Sequence, residues 1–458
     1  MKNATAIREH WGSRLAFVMA AAGSAIGLGN VWKFPYITGV YGGAAFVLWY
    51  LFSILMIGVP VMLIEWAIGR KTQANPVGAF KKLAPNSPFF LIGVLGVLSG
   101  FIILSYYSVV AGWTLAYIYK SALGGFAGFT SPDIAAAAFG AFVSDPLKPV
   151  ITHAIFMVLT ILIVTQGVKS GLERWNGILM PSLAVIVIVL AVRGLTLPGA
   201  RPELSAMNGL KFLFAPDFSK LTGNGMLVAM GHAFFTLSLG MGAMLTYGSY
   251  LNKTENLFKS AMWVIVADTA FALMAGVAVF TTVFALGFEP GAGPGLVFHV
   301  LPAIFAHMPG GALFGVLFFL LLAIAALTSS ISLLEVVTAY FIEEKGWSRN
   351  RAAWVFGVII FLIGVPSALS FGVLGKIMIF KMTIFDFFDY LSFKYMLPLG
   401  GLLMVLFTIF KWKTESLLDE LRIGGPKFNI SITIATVLLV ISALFVTVTF
   451  VAGLFGKA

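Results

Sequence analysis

Gly23-Ser24-Ala25-Ile26-Gly27-Leu28-Gly29-Asn30 lies in the middle of the uncharged run 15–32. A run of that length is just enough to cross a bilayer as a helix, which takes about 20 apolar residues. Its centre is unsuited to a plain span. It holds three glycines, a serine and an asparagine. Glycine is a poor helix former, and an asparagine at membrane depth needs a partner. In lipid, backbone outside a helix is tolerated only where protein or a water-filled cavity satisfies it. The stretch is therefore either a tight packing surface or a break that lines a site.

The rest of the chain supplies the setting. Of its 458 residues 60% are hydrophobic and only 10% charged, with mean hydropathy +0.99. A soluble domain carries about 25% charge, so an all-α polytopic membrane protein is expected. There are no cysteines, which excludes disulfides, a thiol nucleophile and a thiolate metal site. His10, His153, His232, His299 and His307 never take a metal-ligand spacing. With no phosphate-binding loop either, the chain does not read as an enzyme. Arg8, Glu9 and Arg14 lead into the glycine-broken run without a small-residue cleavage site, so no signal peptide is expected.

Uncharged length and flanking charge mark eleven spans: 12–36, 41–69, 89–123, 150–167, 172–193, 224–250, 259–287, 312–342, 352–370, 384–410 and 430–454. The alternative is ten spans and a peripheral helix. The net charge of +11 follows topology rather than a nucleic-acid partner. With the N-terminus in the cytoplasm, 18 of the 29 Lys and Arg residues fall on cytoplasmic segments, ten fall outside, and Lys33 sits within a span. Eleven spans then put the C-terminus on the extracellular or periplasmic side of a plasma (inner) membrane. The connection 286–311 is apolar but cut by Pro290, Pro294, Pro302 and Pro309 and by several glycines. It suits a loop of short helices on the outer face, read either as structured loop or as a lid.

Span six gives the opening stretch a counterpart. The run 221–252 carries no full charge, and its centre reads Phe234-Phe235-Thr236-Leu237-Ser238-Leu239-Gly240-Met241-Gly242. Glycine-interrupted segments at corresponding positions of two halves point to a transporter site between inverted repeats. The two breaks are five spans apart. Five is odd, so the second half runs upside down relative to the first. A broken helix exposes amides at one half-helix start, suited to a carboxylate, and carbonyls at the other half's end, suited to a small hard cation. Asn30, Thr236, Ser238, Thr328 and Ser329 offer further oxygens.

At these residues the chain resembles the neurotransmitter:sodium symporter family, with the leucine-transporter-type fold. The matching motifs are Arg8-Glu-His-Trp-Gly-Ser-Arg14, Gly23-Ser-Ala-Ile-Gly-Leu-Gly-Asn-Val-Trp-Lys-Phe-Pro35, Gly42-Gly-Ala-Ala-Phe46, Ile57-Gly-Val-Pro60 with Glu65, Phe234-Phe-Thr-Leu-Ser-Leu-Gly240 and Leu327-Thr-Ser-Ser330. The resemblance runs from Arg8 to the tenth span. It implies a single transmembrane domain over 1–458, with five-plus-five inverted repeats at about 11–193 and 222–410 and an extra helix at about 430–454. It implies two sodium sites. The first would use Ala25, Asn30, Thr236, Asp268 and the substrate carboxylate. The second would use carbonyls of Gly23, Ile26 and Ala325 with the hydroxyls of Thr328 and Ser329. Ser24, Tyr107, Phe235, Ser238, Met241 and Leu333 would line the substrate pocket, with Ala25 and Thr236 beside them. Amides of Leu28 and Gly29 and the Tyr107 hydroxyl would hold the carboxylate.

Intramembrane charges are functional hypotheses by default. Asp268 reads as a sodium ligand and fixed negative charge, or as a polar link between helices. Some family members have a neutral asparagine there and need chloride, and others carry a carboxylate where this chain has Ala272. Asp268 can supply that charge, so chloride is expected to be dispensable. Glu65 is expected to accept backbone N–H groups freed by the breaks. Glu335 reads as structural or as a proton relay. The resemblance also implies two ion-pair gates: Lys33 with Asp389 outside, where the family often has arginine and where Asp386 is the alternative partner, and Arg8 with Glu343 inside. Lysine cannot form the bidentate fork of arginine. His232 stands where glutamine is frequent. The Gly-x9-Pro spacing of Gly171 and Pro181 reads as a kink; the resemblance implies instead a segment that unwinds to admit water to the second sodium site from inside.

Beyond the hydroxyls of Ser24 and Ser238, the pocket offers no charged group to a substrate side chain. The expected function is sodium-coupled symport of a neutral hydrophobic or aromatic L-amino acid by alternating access, with two sodium ions. The alternatives are a proton-coupled permease of the same architecture and a non-transporting amino-acid sensor.

Overall fold

The computed structural model describes residues 9–291, 295–425 and 430–455. Its named elements are all helices. In chain order the long ones are α1 (Arg14–Ala25), α2 (Gly29–Val40), α3 (Ala44–Thr72), α4 (Phe90–Ala122), α5 (Lys148–Thr165), α6 (Val168–Leu195), α7 (Gly223–Thr236), α8 (Ala243–Ser249), α9 (Leu257–Leu286), α10 (Gly311–Lys345), α11 (Arg349–Leu369), α12 (Ile384–Trp412) and α13 (Ile432–Gly453).

Nine of these are long and apolar enough to cross a membrane without interruption, and α1 with α2 makes a tenth as a pair bent by 47°. The remaining expected span, 224–250, is α7 and α8 with six non-helical residues between them, and neither half is long enough to cross alone. The cause is local. Ser238, Gly240 and Gly242 take φ of +53°, +76° and +75°, which no right-handed helix accommodates. The Gly-x9-Pro segment of span five stays helical. A wide π-helical turn occupies Val168–Glu173, and Pro181 sits inside the helix that follows.

Helix starts follow local chemistry. Ser13 Oγ accepts from Ala16 N at 3.1 Å at the head of α1, and Thr222 Oγ1 accepts from Gly225 N at 3.0 Å at the head of α7. Two groups of helices then pack around the breaks. α4, α5, α10 and α11 pack on one another, while α3 packs on α7, α8 and α9, and α1 on α9. α6 touches both groups, through α1 and α9 on one side and α10 on the other. The outer connection forms a short helical unit, Leu296–His307. Its Phe298 ring lies 5.0–5.8 Å from the rings of Phe139, Tyr117, Trp113 and Phe319. At the other end, the fully buried Arg70 of α3 donates from Nε to Glu420 Oε1 at 2.8 Å and from Nη2 to the Glu420 carbonyl, fastening the helix Thr414–Arg422 against α3.

Candidate functional site

The first break is built from three consecutive backbone decisions. α1 ends with Ile26 N donating to Ala22 O at 2.7 Å, and Ile26 itself turns extended (φ −75°, ψ 95°). The next two amides then have no helical acceptor. Gly27 N donates to Asn30 Oδ1 at 3.0 Å, and Leu28 N to the Tyr107 hydroxyl at 3.1 Å. The Ser24 carbonyl, released at the end of α1, accepts from Ser238 Oγ at 2.7 Å and from Ser329 Oγ at 3.0 Å. Both broken segments and α10 therefore meet at one backbone oxygen. Ser24 Oγ donates to Ser332 Oγ at 2.7 Å.

The second break is held differently. Glu65 of α3 is fully buried. Its carboxylate accepts from Gly240 N at 2.8 Å and from Leu245 N at 3.1 Å, one amide in the non-helical stretch and one in the first turn of α8. An unpaired buried N–H costs about 1–3 kcal/mol, so one side chain supports this conformation at two points.

Beside the first break lies a buried polar cluster centred on Asp268 of α9. Its Oδ1 accepts from Asn30 Nδ2 at 2.8 Å and from Thr236 Oγ1 at 3.1 Å, and its Oδ2 from Thr236 Oγ1 at 3.2 Å and Tyr50 OH at 3.4 Å. Asn30 Nδ2 also reaches the Asp268 carbonyl at 3.2 Å. The structure thus brings Asn30, Thr236 and Asp268 together. In this arrangement the Asn30 oxygen is engaged by Gly27, and its amide nitrogen faces Asp268. Tyr50 was missed in the sequence, where nothing separates one tyrosine of an apolar helix from the other eleven. On the opposite wall, Thr328 Oγ1 donates to Ala325 O at 3.0 Å. It stands next to Ser329 on α10, whose hydroxyl reaches the Ser24 carbonyl at the end of α1. The first cluster offers carboxylate and hydroxyl oxygens and the second carbonyl and hydroxyl oxygens, donors that suit a hard cation such as sodium.

Between the breaks is a cavity of about 290 Å³ lined by Ser24, Ala25, Gly27, Gly29, Ile103, Tyr107, Phe235, Ser238, Met241, Ser329 and Leu333. All are buried except Phe235, which is half-buried. Eight residues expected in the pocket line it. Leu28 and Thr236 do not; the first turns its amide to Tyr107 and the second its hydroxyl to Asp268. Ile103 was missed, although it lies four residues before Tyr107 on α4 and hence on the same helix face. The wall is apolar apart from hydroxyls and backbone, and no charged side chain lines it.

Outward of the cavity, the Lys33 ammonium lies 3.6 Å from the Phe393 ring centroid, 4.9 Å from that of Phe235 and 3.7 Å from Asp389 Oδ1. Asp386 instead accepts from Thr383 Oγ1 at 2.7 Å and receives Thr383's cap at its own amide. His232 is buried against Phe34 and Tyr50, with ring centroids 6.2 Å and 5.3 Å away. Of the other expected gate, Arg8 lies outside the described residues. Glu343, its expected partner, accepts from Asn75 N at 2.7 Å and Asn75 Nδ2 at 3.1 Å. A second inner network joins the fully buried Glu335 to Tyr250 OH and Arg349 Nη1, each at 2.6 Å. Trp11 closes over it, donating from Nε1 to Tyr247 O at 3.0 Å and from its amide to Tyr250 O at 3.1 Å.

Comparison with known proteins matches this geometry to a recognised group. The model of the sodium:neurotransmitter symporter family matches residues 8–127 and 145–456. YhdH, an uncharacterized sodium-dependent transporter of Bacillus subtilis (strain 168), is 42% identical over 415 residues, 91% of this chain and 90% of its own length. An uncharacterized sodium-dependent transporter of Haemophilus influenzae is 37% identical over 420 residues, 89% of this chain and 90% of its own. The crystal structure of MhsT in complex with L-phenylalanine superposes with a TM-score of 0.88 at 47% identity, over 97% of this chain and all of that one.

Proposed function

This chain belongs to the sodium:neurotransmitter symporter family, a family of multi-pass membrane transporters, and from that premise we propose that it imports a neutral hydrophobic or aromatic L-amino acid with two sodium ions. The observation that carries this reading is the cavity between the two breaks. One end presents the Gly29 backbone beside the Tyr107 hydroxyl, and Ile103, Phe235, Met241 and Leu333 supply an apolar wall. A carboxylate fits the first end, where the half-helix α2 begins and its dipole is positive. An apolar side chain fits that wall. The similarity to MhsT, solved with L-phenylalanine, supports the same substrate class.

The first sodium is held by the Ala25 carbonyl, Asn30, Thr236, Asp268 and the substrate carboxylate. To serve it, the Asn30 oxygen exchanges its bond to Gly27 N for the cation. The second is held by carbonyls of Gly23, Ile26 and Ala325 with the Thr328 and Ser329 hydroxyls. Because one carboxylate belongs to both substrate and first sodium site, each strengthens the other by the same factor. Asp268 supplies the fixed negative charge, so chloride is not required. The inverted repeats, at about 11–193 and 222–410, rock about the breaks to expose the cavity alternately. The N-terminus is cytoplasmic and the C-terminus lies outside.

Scintillation-proximity binding of the twenty amino acids, in sodium against potassium, tests this. Sodium-dependent binding confined to apolar and aromatic amino acids is expected. Binding of a charged amino acid, or equal binding in potassium, overturns the assignment. Chloride-dependent uptake by the wild type would sink the chloride statement alone. Thr328→Ala with Ser329→Ala is expected to abolish sodium-dependent binding, and retained dependence would refute the second site.

A further inference from the structure

The second sodium site as read above draws oxygens from the end of α1 and from α10. A third helix, α6, packs on both. Its regular portion, Arg174–Leu195, buries one polar side chain, Asn176, among Met180, Leu183, Val187, Leu190, Ala191 and Gly194. Asn176 is fully buried. Its Nδ2 donates to Leu172 O at 2.7 Å, within the wide turn that opens the helix. Its Oδ1 is buried and accepts no hydrogen bond from the described residues.

That oxygen faces the first break. A Cβ placed on Gly23 would lie 2.1 Å from Asn176 Oδ1 and 3.2 Å from Asn176 Cγ. Asn176 therefore occupies the space of a Gly23 side chain, which explains why this position is glycine. It also sets an amide oxygen with unused lone pairs against the residue whose carbonyl is assigned to the second cation. A buried amide acceptor left without a donor costs about 1–3 kcal/mol, and valine or leucine would pack the α6–α1 contact without that cost. A neutral, hard oxygen at this place is chemistry a sodium ion can use.

We propose that Asn176 belongs to the second sodium site and supplies its oxygen from the α6 side. The inference rests on the assignment of that site to Gly23, Ile26, Ala325, Thr328 and Ser329.

The test reads sodium binding without transport. The purified full-length protein is melted across a sodium series without amino acid, with potassium keeping ionic strength constant. Asn176→Leu is expected to raise the sodium midpoint by about tenfold or more, the usual scale for losing a supporting ligand group. Asn176→Asp keeps an oxygen in place but loses the Nδ2 bond to Leu172, and is expected to hold or lower the midpoint. If Asp is as weak as Leu, the residue matters through its nitrogen and the proposal is wrong. Should the Leu variant fail to fold, the Asp variant alone decides by the direction of its midpoint. Thr328→Ala with Ser329→Ala separates the two layers. Loss of the sodium response there, with Asn176→Leu at the wild-type midpoint, removes Asn176 and leaves the site standing. An unchanged midpoint in the double variant removes the site, and the role of Asn176 with it.

Discussion

The two broken segments face one cavity but are held open by different means. The first leaves the helix for only a few residues and is tied by side chains around it: Asn30 from within, Tyr107 from α4, Ser329 from α10 and Ser238 from the other break. The second is longer, takes three left-handed residues, and leans on one carboxylate reaching across from α3. The first break thus resembles a binding site whose ligands can exchange partners. The second resembles a shaped wall whose form is fixed by backbone conformation and Glu65. In the reading proposed above, the ion sites draw mainly on the first break, while Phe235, Ser238 and Met241 of the second help shape the cavity.

The largest expected effect breaks the wall. Glu65→Ala leaves the Gly240 and Leu245 amides buried without an acceptor, at about 1–3 kcal/mol each. Loss of most monodisperse protein after mild heating is expected, on size-exclusion chromatography. Wild-type behaviour there would mean that the second break does not depend on Glu65. Next comes Gly240→Ala. Its φ of +76° costs a side chain about 1–2 kcal/mol, and a Cβ would lie 2.4 Å from the Leu397 carbonyl oxygen, which is backbone and cannot swing away. Gly29→Ala is the counterpart at the first break. There a Cβ meets the Phe235 ring at 3.3 Å, so weaker amino-acid binding with an almost unchanged melting temperature is expected. Equal melting losses in both variants would erase the distinction between site and wall.

Asp268→Asn sharpens the first side of the comparison. It keeps the size of the group hydrogen-bonded to Asn30, Thr236 and Tyr50 but removes the charge. The fold is expected to survive while the sodium midpoint of amino-acid binding rises by about tenfold or more. A sodium midpoint unchanged by the substitution would assign Asp268 a purely structural role. The smallest effect is expected at the Lys33–Asp389 pair. Lys33 and Asp389 are 3.7 Å apart, and the Asp389 side chain is 39% exposed. Lys33→Arg should therefore change binding by no more than about 0.2–1 kcal/mol, read as dissociation constants at saturating sodium.

The breaks were legible because glycine and hydroxyl residues at mid-span violate what lipid demands, and because their five-span separation implies inversion. Eight residues that line the cavity were implied by the resemblance. What escaped was set by contacts between distant helices. Tyr50 is one aromatic in an apolar span until α3 and α9 bring it to Asp268. Asn176 lies in a segment whose glycine and proline drew attention, while its oxygen gained meaning only from the packing of α6 on Gly23. Span six was expected to be broken, and three positive φ angles divide it into two helices too short to cross singly; which backbone angles make the break could not be read from residue types alone.

Reciprocity tests the central claim, that sodium and the amino-acid carboxylate share the first break. Equilibrium dialysis of radiolabelled L-phenylalanine across a sodium series gives its dissociation constant at low and at saturating sodium. Melting across the same series, with and without saturating L-phenylalanine, gives the matching shift in the sodium midpoint. The account predicts the same factor in both directions for wild type and a much smaller one for Asp268→Asn. Tight amino-acid binding that ignores sodium, or a sodium midpoint that ignores the amino acid, would contradict it.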